Sequence, residues 1–298
     1  RTSRRQRQMC IRDRYQPRPP FPFTPGYEVS GIIHSLGEGV TEFEVGQRVV
    51  AASQTGGQAS HIVAQISRVI PLPDSMSLEK AAAMPVTYMT AHHMLHHLGN
   101  LKSTDTVLIH GGAGGVGTAA LQLCQWAGVS KVWATASGHK GDIIKQYAGI
   151  PIDRHKEDFV EIVKRETGGR GVDHILDPIG GENLKRSLKV LAMGGKLYSF
   201  GMSAAAPTSK RSLLKAYFAW RKTPKFDPLK MMSRNQGVFG VHMGTWNDEA
   251  VIAEQLHRII DGVNQGVLDP VVDSVFAVED AAQALSLIHI SEPTRLRS

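Results

Sequence analysis

The spacing of apolar residues changes character once along this chain. Up to residue 84 they fall in short β-prone runs broken by glycine, and from Thr87 onward helical spacing alternates with compact strand-like runs. In the first stretch, Tyr27–His34, Gln47–Ala51 and Gln58–Ala64 are predicted strands, with Gly37, Gly39, Gly46, Gly56 and Gly57 as turns. The prolines from Pro17 to Pro25 exclude both helix and central strand there. Pro71, Pro73 and Asp74 end the run, and Ser77–Ala83 is a short helix with Ser75 or Ser77 as its cap.

Beyond Thr87, strands are predicted at Thr106–His110, Lys131–Thr135, Ile150–Asp153, Val172–Asp177 and Lys196–Phe200. Helices at Val116–Ala127, Lys140–Tyr147, Glu157–Glu166 and Glu182–Leu191 separate them. Such alternation, with short glycine turns, implies a parallel, doubly wound α/β sheet. Ser209–Lys222 reads as a basic helix broken by Pro224 and Pro228, and Val238–His242 as the last strand of the sheet. Glu249–Gly262 is amphipathic, Leu268–Phe276 is β-like, and Val278–Leu285 begins a helix.

One turn carries chemistry. Four β-prone residues, Val107 to His110, run into a glycine-dense segment and then a breaker-free helix. Gly112, Gly114 and Gly117 there have G-x-G-x-x-G spacing, with Gly115 and Val116 inside the same turn. In a dinucleotide-binding turn the first glycine permits the reversal and the second lets backbone approach a pyrophosphate. The third lets helix and strand pack closely, and the helix start offers N–H groups to the phosphates. An NAD site would place an acid about twenty residues further on. This chain has Ser137 and Lys140 in that region and no acid before Asp142. A hydroxyl and an ammonium suit a 2′-phosphate and hence NADPH. In the alternative, Ser137 caps the following helix and Lys140 is solvated. Asp177, at a strand's carboxyl end, is a ligand contact or a turn former.

Charge changes the picture less than it first suggests. Most of the net +7 lies in the two ends, where residues 1–14 hold six arginines against Asp13 and residues 286–298 hold Arg295 and Arg297 against Glu292. Both ends look foreign, resembling translated sequencing-adapter read-through, so the balance gives no nucleic-acid footprint. No apolar run reaches the length of a membrane span, and no secretory signal opens the chain. Two cysteines, Cys10 and Cys124, provide no disulfide framework and fit a reducing compartment, with Cys124 a small hydrophobe in a helix. At 298 residues, two domains are expected.

Metal binding has one candidate, His92, His93, His96 and His97, whose i, i+4 pairs share helix faces. A third ligand and the Glu of H-E-x-x-H are missing, so these read as a polar, partly solvated stripe, and no metal is expected.

Several motifs occur in order: Pro25–Gly31, Val45–Val49, Ala81–Pro85 with Thr90 and Ala91, the glycine turn, and Val172–Gly181. Together they resemble the zinc-independent quinone oxidoreductase branch of the medium-chain dehydrogenase/reductases. Asn235–Gly244 is similar to the vesicle amine transport protein-like subgroup. The resemblance implies a GroES-like β domain at 15–85, a Rossmann NADP-binding domain at 86–243 and a return to the first domain at 244–285, between foreign tails at 1–14 and 286–298. It implies NADPH held through Ser137 and Lys140, with Arg154 where the family has a tyrosine. It also places Thr90, from its sequence alone a helix-start hydroxyl, beside the nicotinamide, and Gly201 and Phe239 along the cofactor cleft. Phe239 reads equally as a core aromatic.

The implied activity is hydride transfer from NADPH to a quinone or an α,β-unsaturated carbonyl by a cytoplasmic protein, a homodimer by resemblance. No protein nucleophile is evident and no catalytic residue is assigned. The other reading is an NADPH-binding vesicle- or membrane-associated lipid-handling or adaptor protein with little turnover. It rests on Lys210–Lys222, where apolar and basic residues interleave as on a peripheral membrane helix, or as on a helix lidding the cleft.

Overall fold

The computed structural model describes residues 20–53, 55–203, 221–281 and 283–284. They form two units. One holds the described residues up to Val86, Gly244–Ala253 and those from Pro270 on; the other holds Thr87–Met243 and Glu254–Asp269.

The first unit is built on an antiparallel sheet of β1 (Glu28–Ile32), β2 (Arg48–Ala52) and β3 (Val69–Pro71), in that order. The register pairs Ser30 with Val50 and Val50 with Ile70, which puts Val50 and Ile70 in the core. A short helix, α1 (Leu78–Ala82), follows, and the Ser77 hydroxyl accepts the Lys80 N–H as its cap. The Ser30 hydroxyl donates to the Leu78 carbonyl, fastening α1 to the sheet. Arg48 fans over the carbonyls of Pro73, Asp74 and Met76 and holds the chain before α1.

The second unit is a six-stranded parallel sheet in the order β6-β5-β4-β7-β8-β9. Its strands are β4 (Thr106–His110), β5 (Lys131–Ala136), β6 (Ile150–Asp153), β7 (Val172–Asp177), β8 (Leu191–Ser199) and β9 (Gly237–Gly240). The chain enters through α2 (Pro85–His92), which runs on as a π-helical segment, His93–Leu98. It then crosses the sheet by α3 (Gly115–Trp126), α4 (Gly141–Gln146), α5 (Phe159–Glu166) and α6 (Glu182–Ser187). After α6 come α7 (Pro228–Arg234) and α8 (Glu249–Asn264). Leu108, Trp133, Ile175 and Leu197, from four neighbouring strands, are buried on one face. Phe159, Val160 and Val163 of α5 and Leu184 of α6 cover them. Burying each such side chain contributes about 1.5–3 kcal/mol, so this face is a substantial stabilising layer of the unit. Asp158 caps α5 by accepting the Val160 N–H at 2.8 Å.

The doubly wound sheet and the small β unit match the expected α/β class. Several elements differ. Gln58–Ala64 pairs with no strand, and Val63 is fully exposed, because alternation forms a strand only where a neighbour supplies ladder hydrogen bonds. Leu268–Phe276 is likewise not a strand. The Gln122 amide takes both the N–H and the C=O of Asp269, at 2.6 and 3.0 Å, and Pro270 has no N–H to offer. The helix predicted to reach Leu191 stops at Ser187, and β8 begins at Leu191 rather than Lys196. The Gly194–Gly195 pair that reads as a turn lies within the strand, where the β7–β8 register shifts. Of the predicted basic helix, residues 209–220 lie outside the described residues, as do residues 1–14 and 286–298.

Candidate dinucleotide site

β4 ends at His110, and Gly111 reverses the chain at a φ of +72°, a conformation that favours glycine. The helix α3 starts four residues later. Its N-cap is Gly114 in an extended conformation, and no side chain caps it. Gly114 and Gly115 are exposed, so the first-turn amides and the positive end of a twelve-residue helix face solvent. That is the local physics of an anion site.

The glycines divide by what surrounds them. A Cβ on Gly112 would lie 2.5 Å from the Ala134 Cβ, and one on Gly117 would lie 2.7 Å from the Gly112 Cα. Both are needed to bring turn, strand and helix together. A Cβ on Gly115 would meet Thr87 Cγ2 at 2.9 Å, whereas one on Gly114 would meet only the Gly111 carbonyl oxygen, at 3.3 Å. Val116 is half-buried behind them. The cradle is therefore formed by the chain's own packing, and its rim is open at Gly114.

At the next strand end, Ser137 is buried, yet its hydroxyl makes no cap to the 3-10 turn Gly138–Lys140 that follows. It lies instead 3.4 Å from His155 Nε2. The β5–β6 register pairs Ala136 with Asp153, which brings Arg154 and His155 beside Ser137. Arg154 is exposed and donates through Nε to His155 Nε2 at 3.2 Å, and Lys140 is half-buried at the end of the 3-10 turn that follows Ser137. A hydroxyl, a guanidinium and an imidazole thus meet where a second-strand acid would read a ribose 2′-hydroxyl, with Lys140 three residues beyond Ser137. Asp153 also sits there, but its Oδ1 accepts the His155 N–H and its Oδ2 lies against Gly138. Sequence reasoning missed His155; its position next to Arg154, in the turn just after β6, was the available signal.

The other expected residues fall around the same sheet edge or in α2. Gly201 follows β8, and a Cβ there would come 2.7 Å from the Pro178 carbonyl oxygen, so only glycine lets the two loops touch. Phe239, on β9, is half-buried and stacks on Tyr198 with ring centroids 5.6 Å apart. Tyr198 in turn stacks on His174. Thr90 is buried in the second half of α2, not at a helix start, because the helix already begins at Pro85. Asp177 is a turn former of an unusual kind: fully buried, it accepts from the amides of Ile179 and Gly180, from Asn183 Nδ2 and from the Ser187 hydroxyl.

The histidines depart from the expected solvated stripe. His92 and His93 are buried and His96 is half-buried, stacked as His92–His96 and His93–His97 at 4.8 and 4.9 Å. Tertiary packing overrides polarity here, and Gln255 of α8 meets His93 Nδ1 at 3.1 Å. Burial pushes His92 down to about 3 and His93 and His96 to about 4, so all three are neutral near pH 7. Among the described residues, no three His, Cys, Asp or Glu side chains are grouped to hold a metal ion. Cys124 is buried in α3, and burial raises its thiol pKa above the usual range. No helix of the described residues is long and apolar enough to cross a membrane.

Two family models match this chain. One, described as zinc-binding dehydrogenase, covers residues 148–291. The other, described as alcohol dehydrogenase GroES-like domain, covers residues 4–74. The second takes in residues 4–14, most of the first end that reads as foreign, and the first reaches residues 286–291 of the other. The synaptic vesicle membrane protein VAT-1 homolog of Rattus norvegicus is 33% identical over 273 residues, which is 91% of this chain and 67% of that protein. The quinone oxidoreductase of Rattus norvegicus is 31% identical over 282 residues, 93% of this chain and 79% of that protein. A mycobacterial protein solved in complex with NADPH superposes with a TM-score of 0.78 at 28% identity, over 92% of this chain and 82% of that one. With its small antiparallel sheet, its glycine-turned parallel sheet and these relatives, the chain belongs to the medium-chain dehydrogenase/reductase family, among the VAT-1 homologues and quinone oxidoreductases.

Proposed function

We propose that the protein is an NADPH-dependent oxidoreductase that reduces a quinone or an α,β-unsaturated carbonyl without zinc. The observation that carries this reading is the pairing of a close-packed glycine cradle with a cationic, hydroxyl-bearing cluster at the next strand end. The amides of Gly115 and Val116 would hold the pyrophosphate, the Gly114 amide being taken by the Gly111 carbonyl, and Ser137, Lys140 and Arg154 would hold the 2′-phosphate. Thr90, Gly201 and Phe239 would flank the rest of the cofactor. NADPH supplies a hydride when bound; the chain's residues orient it and neutralise its phosphates. Zinc independence is supported by ligand chemistry. Tyr27 stands in the Gly26–Tyr27–Glu28 segment where zinc-dependent relatives have histidine, and Cys124 is buried inside α3. The acceptor is a small molecule, and the homodimer and cytoplasmic placement expected from the sequence remain part of this proposal.

The test is NADPH oxidation by the full chain with a small panel of quinones and enones, alongside titrations with NADPH and NADH. Turnover with at least one acceptor and tighter binding of NADPH are expected. A preference for NADH, or no oxidation with any acceptor, would overturn the reading.

A second reading, an NADPH-binding adaptor at a membrane surface, has one observation in its favour. Phe226, Leu229 and Met232 are exposed beside Arg221, Lys222, Lys225, Lys230 and Arg234, a mixture suited to an anionic lipid surface. Co-sedimentation with phosphatidylserine vesicles at low salt, together with absent turnover, would favour it over the reductase.

A further inference from the structure

Beneath the glycine turn, polar groups run in single file through the sheet. Thr135 on β5, His110 on β4 and Asp177 on β7 stand at the carboxyl ends of three neighbouring strands. Ser187, at the end of α6, bridges the last two. Thr135 Oγ1 lies 3.2 Å from His110 Nδ1, His110 Nε2 lies 3.0 Å from Ser187 Oγ, and Ser187 Oγ lies 3.2 Å from Asp177 Oδ2. The Gly111 amide donates to Thr135 Oγ1 at 3.4 Å. All four side chains are buried, with exposures of 3% or less.

The direction of every bond follows from the two ends. The Asp177 carboxylate only accepts: Oδ1 takes the amides of Ile179 and Gly180 at 2.8 and 3.0 Å, and Oδ2 takes Asn183 Nδ2 at 2.8 Å and the Ser187 hydroxyl. Ser187 has one proton and gives it to Asp177, so its oxygen accepts from His110 Nε2–H. A neutral imidazole has one N–H, so Nδ1 accepts the Thr135 hydroxyl proton. Thr135 Oγ1 then accepts from Gly111, whose amide can only donate. Burial pushes His110 down to about 4, against the pull of Asp177, and the ring stays neutral through the physiological range.

We infer that Thr135, His110, Ser187 and Asp177 form a one-directional hydrogen-bond relay that positions the glycine turn against the loop after β7 and thereby sets dinucleotide affinity from below the site. The part about affinity rests on the dinucleotide reading above. One end holds Gly111, where the turn begins. The other holds the amides of Ile179 and Gly180, next to Pro178, on which Gly201 rests. Both loops lie at the carboxyl edge, where doubly wound sheets bind ligands. The four are positioning residues; none is required to touch substrate or cofactor. A buried network with every donor and acceptor used holds its parts in a single arrangement.

Two measurements on the full chain test this. In nitrogen-15 histidine spectra, wild-type His110 should be the Nε2–H tautomer. In Asp177→Asn the side-chain oxygen must stay facing Ile179 and Gly180, so the amide nitrogen faces Asn183 and Ser187; Asn183 turns its amide to present its oxygen, and the nitrogen donates to both. The relay then reverses, and His110 should become the Nδ1–H tautomer. Thr135→Val should weaken NADPH and NADH alike by roughly tenfold while kcat stays within about twofold, and Thr135→Ser should restore binding. Circular dichroism checks that each variant is folded, and if Asp177→Asn is not, the Thr135 pair decides. An Nδ1–H tautomer in the wild type, no switch in a folded Asp177→Asn, or wild-type affinity in Thr135→Val would overturn the relay. The tautomer switch between wild type and Asp177→Asn, together with a wild type that binds neither dinucleotide, would overturn the cofactor reading and the affinity claim while upholding the relay's direction.

Discussion

Gly117 and Gly112 are in such close backbone contact that a methyl group on Gly117 would lie 2.7 Å from the Gly112 Cα, and its other near neighbour is the Gly111 carbonyl oxygen. None of those atoms is the end of a flexible side chain, so the turn cannot yield without moving its backbone. Gly114 differs, since a methyl there needs a shift of only a few tenths of an ångström from Gly111. Gly117→Ala should therefore destabilise the second unit by about 2–3 kcal/mol, visible as a lowered melting temperature without any ligand. Gly114→Ala should melt like the wild type and lose dinucleotide affinity. Equal melting losses in the two variants would show that Gly114 is there for the fold rather than for a ligand.

Ser137, Lys140, Arg154 and His155 make a separate prediction about which dinucleotide is preferred. A charge-assisted contact to a phosphate contributes about 1.5–3 kcal/mol, roughly tenfold to a hundredfold in affinity. Lys140→Ala and Arg154→Ala should each weaken NADPH by that order and leave NADH nearly unchanged, as read by fluorescence titration. Parallel loss for both dinucleotides would mean that these cations act on the pyrophosphate or on the fold.

How legible this was in the sequence depends on where each element gets its hydrogen bonds. β4, β6 and β7 have the bounds predicted for them; β4 and β7 do so because a buried parallel strand paired on both sides is a largely apolar run, whereas β6 is a half-buried edge strand bounded by Gly149 and the turn after Asp153. Gln58–Ala64 and Leu268–Phe276 have β-prone composition but no ladder, and composition does not report a missing partner. At the candidate site the glycine spacing was readable, because a single helix–turn–strand encodes it. The Thr135–His110–Ser187–Asp177 file was not. His110 and Ser187, which meet in it, are 77 residues apart in the sequence, and each member looks like ordinary polar punctuation alone. The buried histidines His92 and His93 were hidden for a related reason, since their burial is decided by α8 and its Gln255.

Glu28 gives the first unit an acid-stabilised element. Its carboxylate accepts the Val86 amide at 2.8 Å, and burial raises its pKa to about 7 despite that bond. Between about 4.5 and 7 the folded state holds a proton that the unfolded chain has released, so stability falls as pH rises through that window and levels off above it. The slope is at most about 1.4 kcal/mol per pH unit. Glu28→Gln, which keeps an oxygen for Val86, should match the wild type near pH 4.5 and melt higher at pH 8. A wild-type advantage at pH 8 would mean that the ionised carboxylate is stabilised by something stronger than the Val86 amide.

The stacked histidines of the second unit titrate in the opposite sense. Burial pushes His92 down to about 3, helped by His96 and Arg258, and pushes His96 down to about 4, helped by Arg258 and His174. Between those values and about 6.5 the unfolded chain binds protons that the folded chain refuses, so stability falls as pH is lowered through that window. Each group contributes at most about 1.4 kcal/mol per pH unit, and two such groups are comparable with the whole stability of a marginal domain. Among the described residues, His92 Nδ1 and His96 Nε2 are buried with no hydrogen-bond partner, so His92→Leu gives up only the contact of its ring with Gln255. His92→Leu should therefore be nearly as stable as the wild type at pH 7.5 and clearly more stable at pH 5, with a flatter dependence of melting temperature on pH. Dinucleotide affinity at pH 7.5 should not change, because His92 makes no contact with the glycine turn or the Ser137 cluster. Parallel melting curves for variant and wild type from pH 7.5 to 5 would place the acid-sensitive groups elsewhere, with His110 the next to replace.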